Sequence, residues 1–386
     1  MGSQCASFFL LQAIFTVINM YLQVILKNQG FSYAVIGIMF AVFELAGMIG
    51  QVGTGWFADK TGLLRVTQLS CAVATILGTA LLIRLTSIPL AFLVLFPLGF
   101  FLNSLITLQD AAANQFGGGK PDVYSKIRAC GTIGCTCFSL VYAMISRPAV
   151  SDNQDIFLFV AGGAVAYMVS LPFLKTGSET VPRQTGKRKG GWFDTPYLLA
   201  IGCILLSRFS MATTRFIPLY AVEVLGYHKL TMLQVVSTGT EFVAILVTGK
   251  LLREKKVRPV TLLMVSSVGV GLRQLCYALM PSVFGMMLGQ AFHSLCYGVF
   301  QPAVIRFVTL HVKSDHKAEG IALCQSLGSG LGGMLGELFC GLVIQHFGYT
   351  VLFFSYAVPA FASAFLLLLL RRYLQKVEVQ RSEMVV

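Results

Sequence analysis

Apolar residues run through this chain in blocks of about 20, the length that crosses the hydrocarbon core of a bilayer as an α-helix. About twelve such blocks can be marked, at 5–27, 34–56, 66–84, 89–113, 124–146, 156–175, 194–222, 232–252, 259–279, 283–310, 319–345 and 350–371. The breaks between them carry turn chemistry, as at Asn28-Gln29-Gly30, Thr86-Ser87-Ile88-Pro89, Arg147-Pro148 and Met280-Pro281. A transmembrane β-barrel would show short alternating segments instead. No basic region precedes the first block and no small-residue cleavage site follows it, so it reads as a retained span rather than a signal peptide. The pattern predicts an all-α membrane protein.

Composition supports that class: 56% of residues are hydrophobic and 12% charged, too little charge for the surface of a soluble chain of 386 residues. The net charge of +13 is a matter of placement rather than of nucleic-acid binding. With the loops assigned alternately to two sides, Lys27, Arg84, Arg147 and Lys229 stand on one side. Arg208, Arg215 and Arg273 fall inside spans, and the remaining Lys and Arg collect on the other side. The positive-inside rule then puts both termini in the cytoplasm. The ten cysteines form no CxxC, and the cluster Cys130, Cys135 and Cys137 has no neighbouring histidine to complete a zinc site. They read as small buried apolar residues.

The one long polar connector, residues 177–192, holds the basic run Lys187-Arg188-Lys189. It divides six blocks from six and defines four expected regions: a bundle at 1–176, a cytoplasmic linker at 177–192, a bundle at 193–372 and a cytoplasmic tail at 373–386. The basic run fits either lipid-headgroup contact or simple cytoplasmic retention. An internal repeat supports two halves. Gly55-Trp56-Phe57-Ala58-Asp59-Lys60-Thr61-Gly62-Leu63-Leu64-Arg65 follows the second block, and Gly249-Lys250-Leu251-Leu252-Arg253 follows the eighth. Such repeats mark transporters built from two similar bundles with a substrate at mid-membrane depth.

The first of these loops resembles the Gly-x-x-x-Asp-Lys/Arg-x-Gly-x-x-Arg motif of the major facilitator superfamily, carried here by Gly55, Asp59, Lys60, Gly62 and Arg65. The second copy lacks the aspartate and the second glycine. The resemblance covers essentially the whole chain. It implies twelve transmembrane helices in two six-helix bundles related by pseudo-two-fold symmetry, and a gating role for the motif. Gly55 is expected to let helices approach closely, and Gly62 to take a positive φ.

A narrower likeness is to the lactose permease-like branch of oligosaccharide, nucleoside and phenylpropionate proton symporters. The stretch from Tyr124 to Gly134 is similar to that branch's fifth-span signature. Asp110 stands eighteen residues before Arg128, as in the pair that binds galactoside in the permease. The twenty residues from Arg273 to His293, with Glu241 one span earlier, resemble its coupling cluster. Two departures stand out. Cys296 occupies the place of the permease's proton-carrying glutamate, and Cys135 that of its sugar-stacking tryptophan. The resemblance implies a bacterial cytoplasmic (inner) membrane, a proton gradient as energy source and no cofactor. Its partners would be a small-molecule substrate and the lipid bilayer, with no nucleic acid, and the chain would act as a monomer.

Ionisable residues inside spans are costly and usually lie on a substrate or proton path. Asp110 and Arg128 fit either a structural pair or a site in which arginine donates to substrate oxygens and aspartate accepts from hydroxyls. Gln109 beside them and Asn19 on the first span are cavity candidates. Glu241, Arg273 and His293 form either a structural polar network or a proton relay. Arg208 and Arg215, seven residues apart, should share a helix face. They suit anion contact or pairing with Glu44 and Glu337, and Glu337 is also a candidate for proton coupling. Glycines at 328, 330, 332, 333 and 336 make a small-residue packing face, static or sliding.

Three functions compete. A secondary active transporter accounts for polar groups in both halves. A membrane-embedded enzyme lacks any HExxH, catalytic dyad or paired-aspartate motif, and the absence of a phosphate-binding loop argues against direct drive by ATP. A non-transporting receptor or regulatory protein on the same fold is the third.

Overall fold

In lipid, only a helix satisfies the backbone of a single crossing segment, and the apolar blocks fold accordingly. The computed structural model describes residues 1–117, 121–145, 153–174, 195–254, 256–312, 320–321 and 323–383. Among these no strand occurs. Ten spans are separate: α1 (Gly2–Asn28), α2 (Tyr33–Thr61), α3 (Leu64–Leu82), α4 (Ile88–Phe116), α5 (Val123–Ile145), α6 (Asn153–Phe173), α7 (Tyr197–Glu223), α8 (Thr231–Arg253), α9 (Pro259–Leu279) and α10 (Val283–His311). The apolar stretch Cys324–Arg371 holds two more, α11 and α12, divided where Gly348 takes φ 79° and ψ 178°. Only glycine adopts that conformation readily.

Two spans depart from regular helix. Within α7, residues Ala212–Arg215 tighten to a 3-10 turn before Pro218 restarts the helix. Within α10, Ser294–Val299 widen to a π-helix, as do Cys324–Leu331 at the start of α11.

The chain divides into two compact units, Met1–Lys187 with Tyr227–Val235, and Arg188–Gly226 with Val236–Val386. The expected connector at 177–192 lies outside the described residues. In the first unit, α1 packs along α5 and α6, and α4 along α2 and α3. Its centre is polar as well as apolar. Gln109 of α4 accepts from Ser7 of α1 at 3.3 Å, Gln68 of α3 at 3.1 Å and Tyr167 of α6 at 3.1 Å, and donates to Gln4 at 3.4 Å. All five side chains are buried, so one amide ties four helices together. In the second unit, α7 and α9 both pack against the α11–α12 segment. Its core joins Tyr197 and Ile204 of α7, Leu263 of α9, Phe300 and Phe307 of α10, and Leu367 of α12.

Glycines set the closest crossings. A Cβ at Gly50 would stand 2.8 Å from the carbonyl carbon of Phe100, and one at Gly99 2.6 Å from the carbonyl oxygen of Phe43, so α2 and α4 touch backbone to backbone. A Cβ at Gly332 of α11 would likewise stand 2.7 Å from the carbonyl oxygen of Leu205 on α7. The expectation for Gly55 is corrected: a Cβ there meets nothing within 4 Å. The close contact lies a turn and a half earlier, at Gly50, because that face points at α4.

Gly62 does take a positive φ, 70°, capping α2 with its N–H donated to the Ala58 carbonyl. Arg65 then reaches the Leu174 carbonyl at the end of α6, and Lys60 lies 4.8 Å over the Trp56 ring. Asp59 is exposed.

Gly50→Ala is expected to cost about 1–3 kcal/mol through overpacking against backbone that cannot yield. Gly55→Ala should stay within about 0.5 kcal/mol. Thermal unfolding of the two variants in detergent checks this; equal losses would contradict the assigned crossing.

Candidate functional site

Asp110 ends one turn of α4 directly after the Gln109 knot, and Arg128 lies on α5 opposite it. Arg128 Nη1 donates to Asp110 Oδ2 at 2.7 Å and to the Tyr124 hydroxyl at 2.8 Å. Tyr124 in turn donates to Asp110 Oδ1 at 3.0 Å. The three close a ring of charge-assisted bonds. The ring is open on one side, since Arg128 keeps 53% of its side chain exposed and Asp110 24%. Tyr124 was not singled out from sequence, although its i,i+4 spacing to Arg128 on one helix face was the available signal. Gln109, by contrast, is fully buried and its amide is engaged in the four-helix knot. Asn19 is partly buried on α1, where its carbonyl accepts from Gln23.

The second unit assembles Glu241, Arg273 and His293 from α8, α9 and α10. Arg273 is fully buried. Its guanidinium donates to the Tyr277 hydroxyl at 2.8 Å, Thr214 at 3.0 Å, Gln290 at 3.2 Å and His293 Nδ1 at 3.3 Å. Arginine has no acceptor, so His293 Nδ1 must be the acceptor. The ring proton therefore sits on Nε2, which faces Glu241 Oε2 at 3.6 Å. The tautomer is fixed by Arg273 and aims the only mobile imidazole proton at the carboxylate. Tyr277 and Gln290, at helical spacing from Arg273 and His293, were also not marked from sequence.

Arg208 and Arg215 do not share a face, contrary to the expectation from their spacing. The 3-10 turn at Ala212–Arg215 changes the rotation per residue between them. Arg215 turns to α11, where its Nε donates to Glu337 at 3.1 Å in a pair with side-chain exposures of 20% and 5%. Arg208 turns to α9 and α10. Its Nη2 donates to the Cys296 carbonyl at 2.9 Å and to Ser266 at 3.4 Å. Its guanidinium carbon lies 3.7 Å from the Phe300 ring centre and 5.0 Å from that of Tyr297. Among the described residues no group of metal-ligating side chains forms, and all ten cysteines are unbridged.

The two rings differ in what they can do. The Asp110–Tyr124–Arg128 ring, partly open, can exchange internal bonds for bonds to a solute carrying hydroxyls or a carboxylate. The Arg273–His293–Glu241 chain can pass a proton between an imidazole and a carboxyl group.

The sequence matches the MFS_1 like family over residues 4–355. No curated protein matches it. Among solved structures, the nucleoside transporter NupG is similar at a TM-score of 0.77 and 16% identity, over 96% of this chain and 98% of that one. A POT family transporter in complex with a thioalcohol-conjugated peptide is similar at 0.74 and 12%, over 97% and 96%. A D-xylose-proton symporter is similar at 0.71 and 11%, over 94% and 95%. At these identities the likeness is one of fold.

If the Asp110–Arg128 contact is structural, the charge-swapped double variant Asp110→Arg with Arg128→Asp should restore the thermal stability that Arg128→Asp alone loses. If the pair binds solute, the swap should fold without binding, and Arg128→Lys should weaken binding by about 2–4 kcal/mol through loss of the planar fork. Melting temperature and solute affinity for the three variants decide between them. Unchanged affinity in Arg128→Lys or the swap removes the pair from the binding site.

Proposed function

The chain belongs to the MFS_1 like family and is a multi-pass membrane transporter rather than an enzyme, and from that footing we propose that it works as a proton-coupled symporter by alternating access. The solute is a small polar organic molecule: a sugar or oligosaccharide, a nucleoside, or an aromatic carboxylate. The nucleoside and xylose-proton specificities of two structural neighbours lend support to that range.

In this reading Asp110 and Arg128, with Tyr124 bridging them, receive the solute in the first unit, and Asn19 and Gln109 support the same region. Arg208 and Arg215 serve it in the second unit. Glu241 loads and releases the proton, His293 relays it, and Arg273 fixes the imidazole tautomer. Glu337 is a second acidic candidate, restrained by Arg215. Gly55, Asp59, Lys60, Gly62 and Arg65 form the gate. Both termini face the cytoplasm of a bacterial inner membrane, and the protein acts as a monomer without a cofactor, driven by the proton gradient.

The observation that carries the coupling proposal is the Arg273–His293–Glu241 chain. Its tautomer is fixed at one end and a carboxylate waits at the other. No acidic side chain is needed at Cys296, because Glu241 approaches the same imidazole from α8.

In proteoliposomes, Glu241→Gln should abolish uphill uptake driven by an inward proton gradient while leaving solute exchange at equal concentrations partly intact. A variant that still concentrates solute would show that Glu241 is not the carrier. Dependence on sodium in place of protons would replace the coupling ion.

A further inference from the structure

Arg208, Arg215 and Arg273 are the buried or half-buried arginines in the spans of the second unit, and two glutamates face them: Glu337 pairs with Arg215, and Glu241 joins Arg273 through His293. Arg208 is the one left over. It is 2% exposed, and among the described residues no carboxylate lies within ion-pair distance. Its Nε and Nη1 have no hydrogen-bond partner, while Nη2 alone is satisfied by the Cys296 carbonyl and Ser266.

That arrangement is expensive. A guanidinium within a membrane-spanning helix is costly to leave without a counter-charge, and each vacant buried donor adds the penalty of an unmade hydrogen bond. The Phe300 and Tyr297 rings face the guanidinium as a cation–π contact, and the Tyr297 hydroxyl is in reach as well, but none of these groups supplies a negative charge. The deficit is one unit of charge and the N–H groups of two nitrogens.

Both π-helical segments of this unit border the residue. Ser294–Val299 presents the Cys296 carbonyl to it. Cys324–Leu331 leads into Gly332, where a Cβ would stand 3.1 Å from Arg208 Cβ. Insertions of this kind are rare and recur at functional sites.

We propose that Arg208 is the anchor for a carboxylate on the transported solute, which narrows the solute to a small organic monoanion. The inference rests on the transporter reading for the word solute, and on the charge deficit for the word anion. A carboxylate supplies one negative charge and two acceptor oxygens, which is what Arg208 lacks. A neutral sugar or nucleoside would leave the charge uncompensated.

The test uses the purified full chain and a panel of acetate, benzoate and 3-phenylpropionate, with benzamide as the neutral isostere and inorganic phosphate as the other anion. At least one carboxylate should raise the melting temperature of the wild type, with no response to benzamide and a smaller one to phosphate. Arg208→Met and Arg208→Gln should abolish that response or weaken the affinity by on the order of 100-fold. Without ligand, at least one of the two should melt no lower than the wild type, since each removes a buried cation and leaves no carboxylate unpaired. The proposal is overturned if no carboxylate stabilises the wild type, if either variant keeps the response, if phosphate or benzamide matches it, or if both variants melt well below the wild type. Uptake in proteoliposomes separates the two readings. Carboxylate binding without flux keeps the site and removes transport, whereas flux of uridine or xylose with no carboxylate response keeps transport and removes the site.

Discussion

The cost of an ionised group in hydrocarbon governs this molecule. Arg208, Arg273 and Glu337 are buried inside the spans, and a charge in such a place must find its partner within the bundle. Arg215 finds Glu337 on α11, Arg273 finds neutral acceptors and reaches Glu241 through an imidazole, and Arg128 closes a ring with Asp110 and Tyr124. Each of these sets joins different helices of its unit. The charges therefore do two things at once: they fix which helices are neighbours, and they concentrate exchangeable hydrogen bonds at a few places. Arg208 is the exception, and its exceptional state makes it informative.

The spans were legible because hydropathy has one cause here. Every apolar block of about 20 residues becomes a helix, and glycine or proline marks the breaks, down to Gly348 between α11 and α12. The meeting of Glu241, Arg273 and His293 was legible from spacing carried by resemblance, since three spans bring one residue each. Deviations from regular helix were hidden. Nothing in Ala212-Thr213-Thr214-Arg215 announces a 3-10 turn except Pro218 beyond it, and so Arg208 and Arg215 were placed on one face when they point to different helices. Gly55 stood in a motif and drew attention, whereas the backbone contact belongs to Gly50, whose facing partner no single sequence reveals. Tyr124, Tyr277 and Gln290 were overlooked because tyrosine and glutamine carry no charge to flag them, although each sits a helical turn from a charged residue that was flagged.

Packing links these polar sets to motion. Gly332 and Gly336, one turn apart on α11, would put a Cβ against the Leu205 and Phe209 carbonyls of α7, and Gly328 one against the Ile204 side chain, so much of that seam is backbone close to backbone. A seam of backbone contacts resists sliding less than interdigitated side chains do. It runs past Arg208 and ends at Glu337, the partner of Arg215. Any shift of α11 along α7 would therefore be felt at both arginines. In the first unit the Gln109 knot does the opposite, holding α1, α3, α4 and α6 in one register beside the more open Asp110–Arg128 ring.

The claim that internal pairing decides where these charges can reside is tested most directly at the best-enclosed ion pair, by a double-mutant cycle on Arg215 and Glu337. Arg215→Leu and Glu337→Leu should each lower unfolding stability by about 3–5 kcal/mol, because each leaves a lone charge in a sealed place. The double variant should be more stable than either single one, giving a coupling energy of several kcal/mol. Additive losses, with the double variant the least stable of the three, would show that the two charges do not depend on each other and would contradict the account.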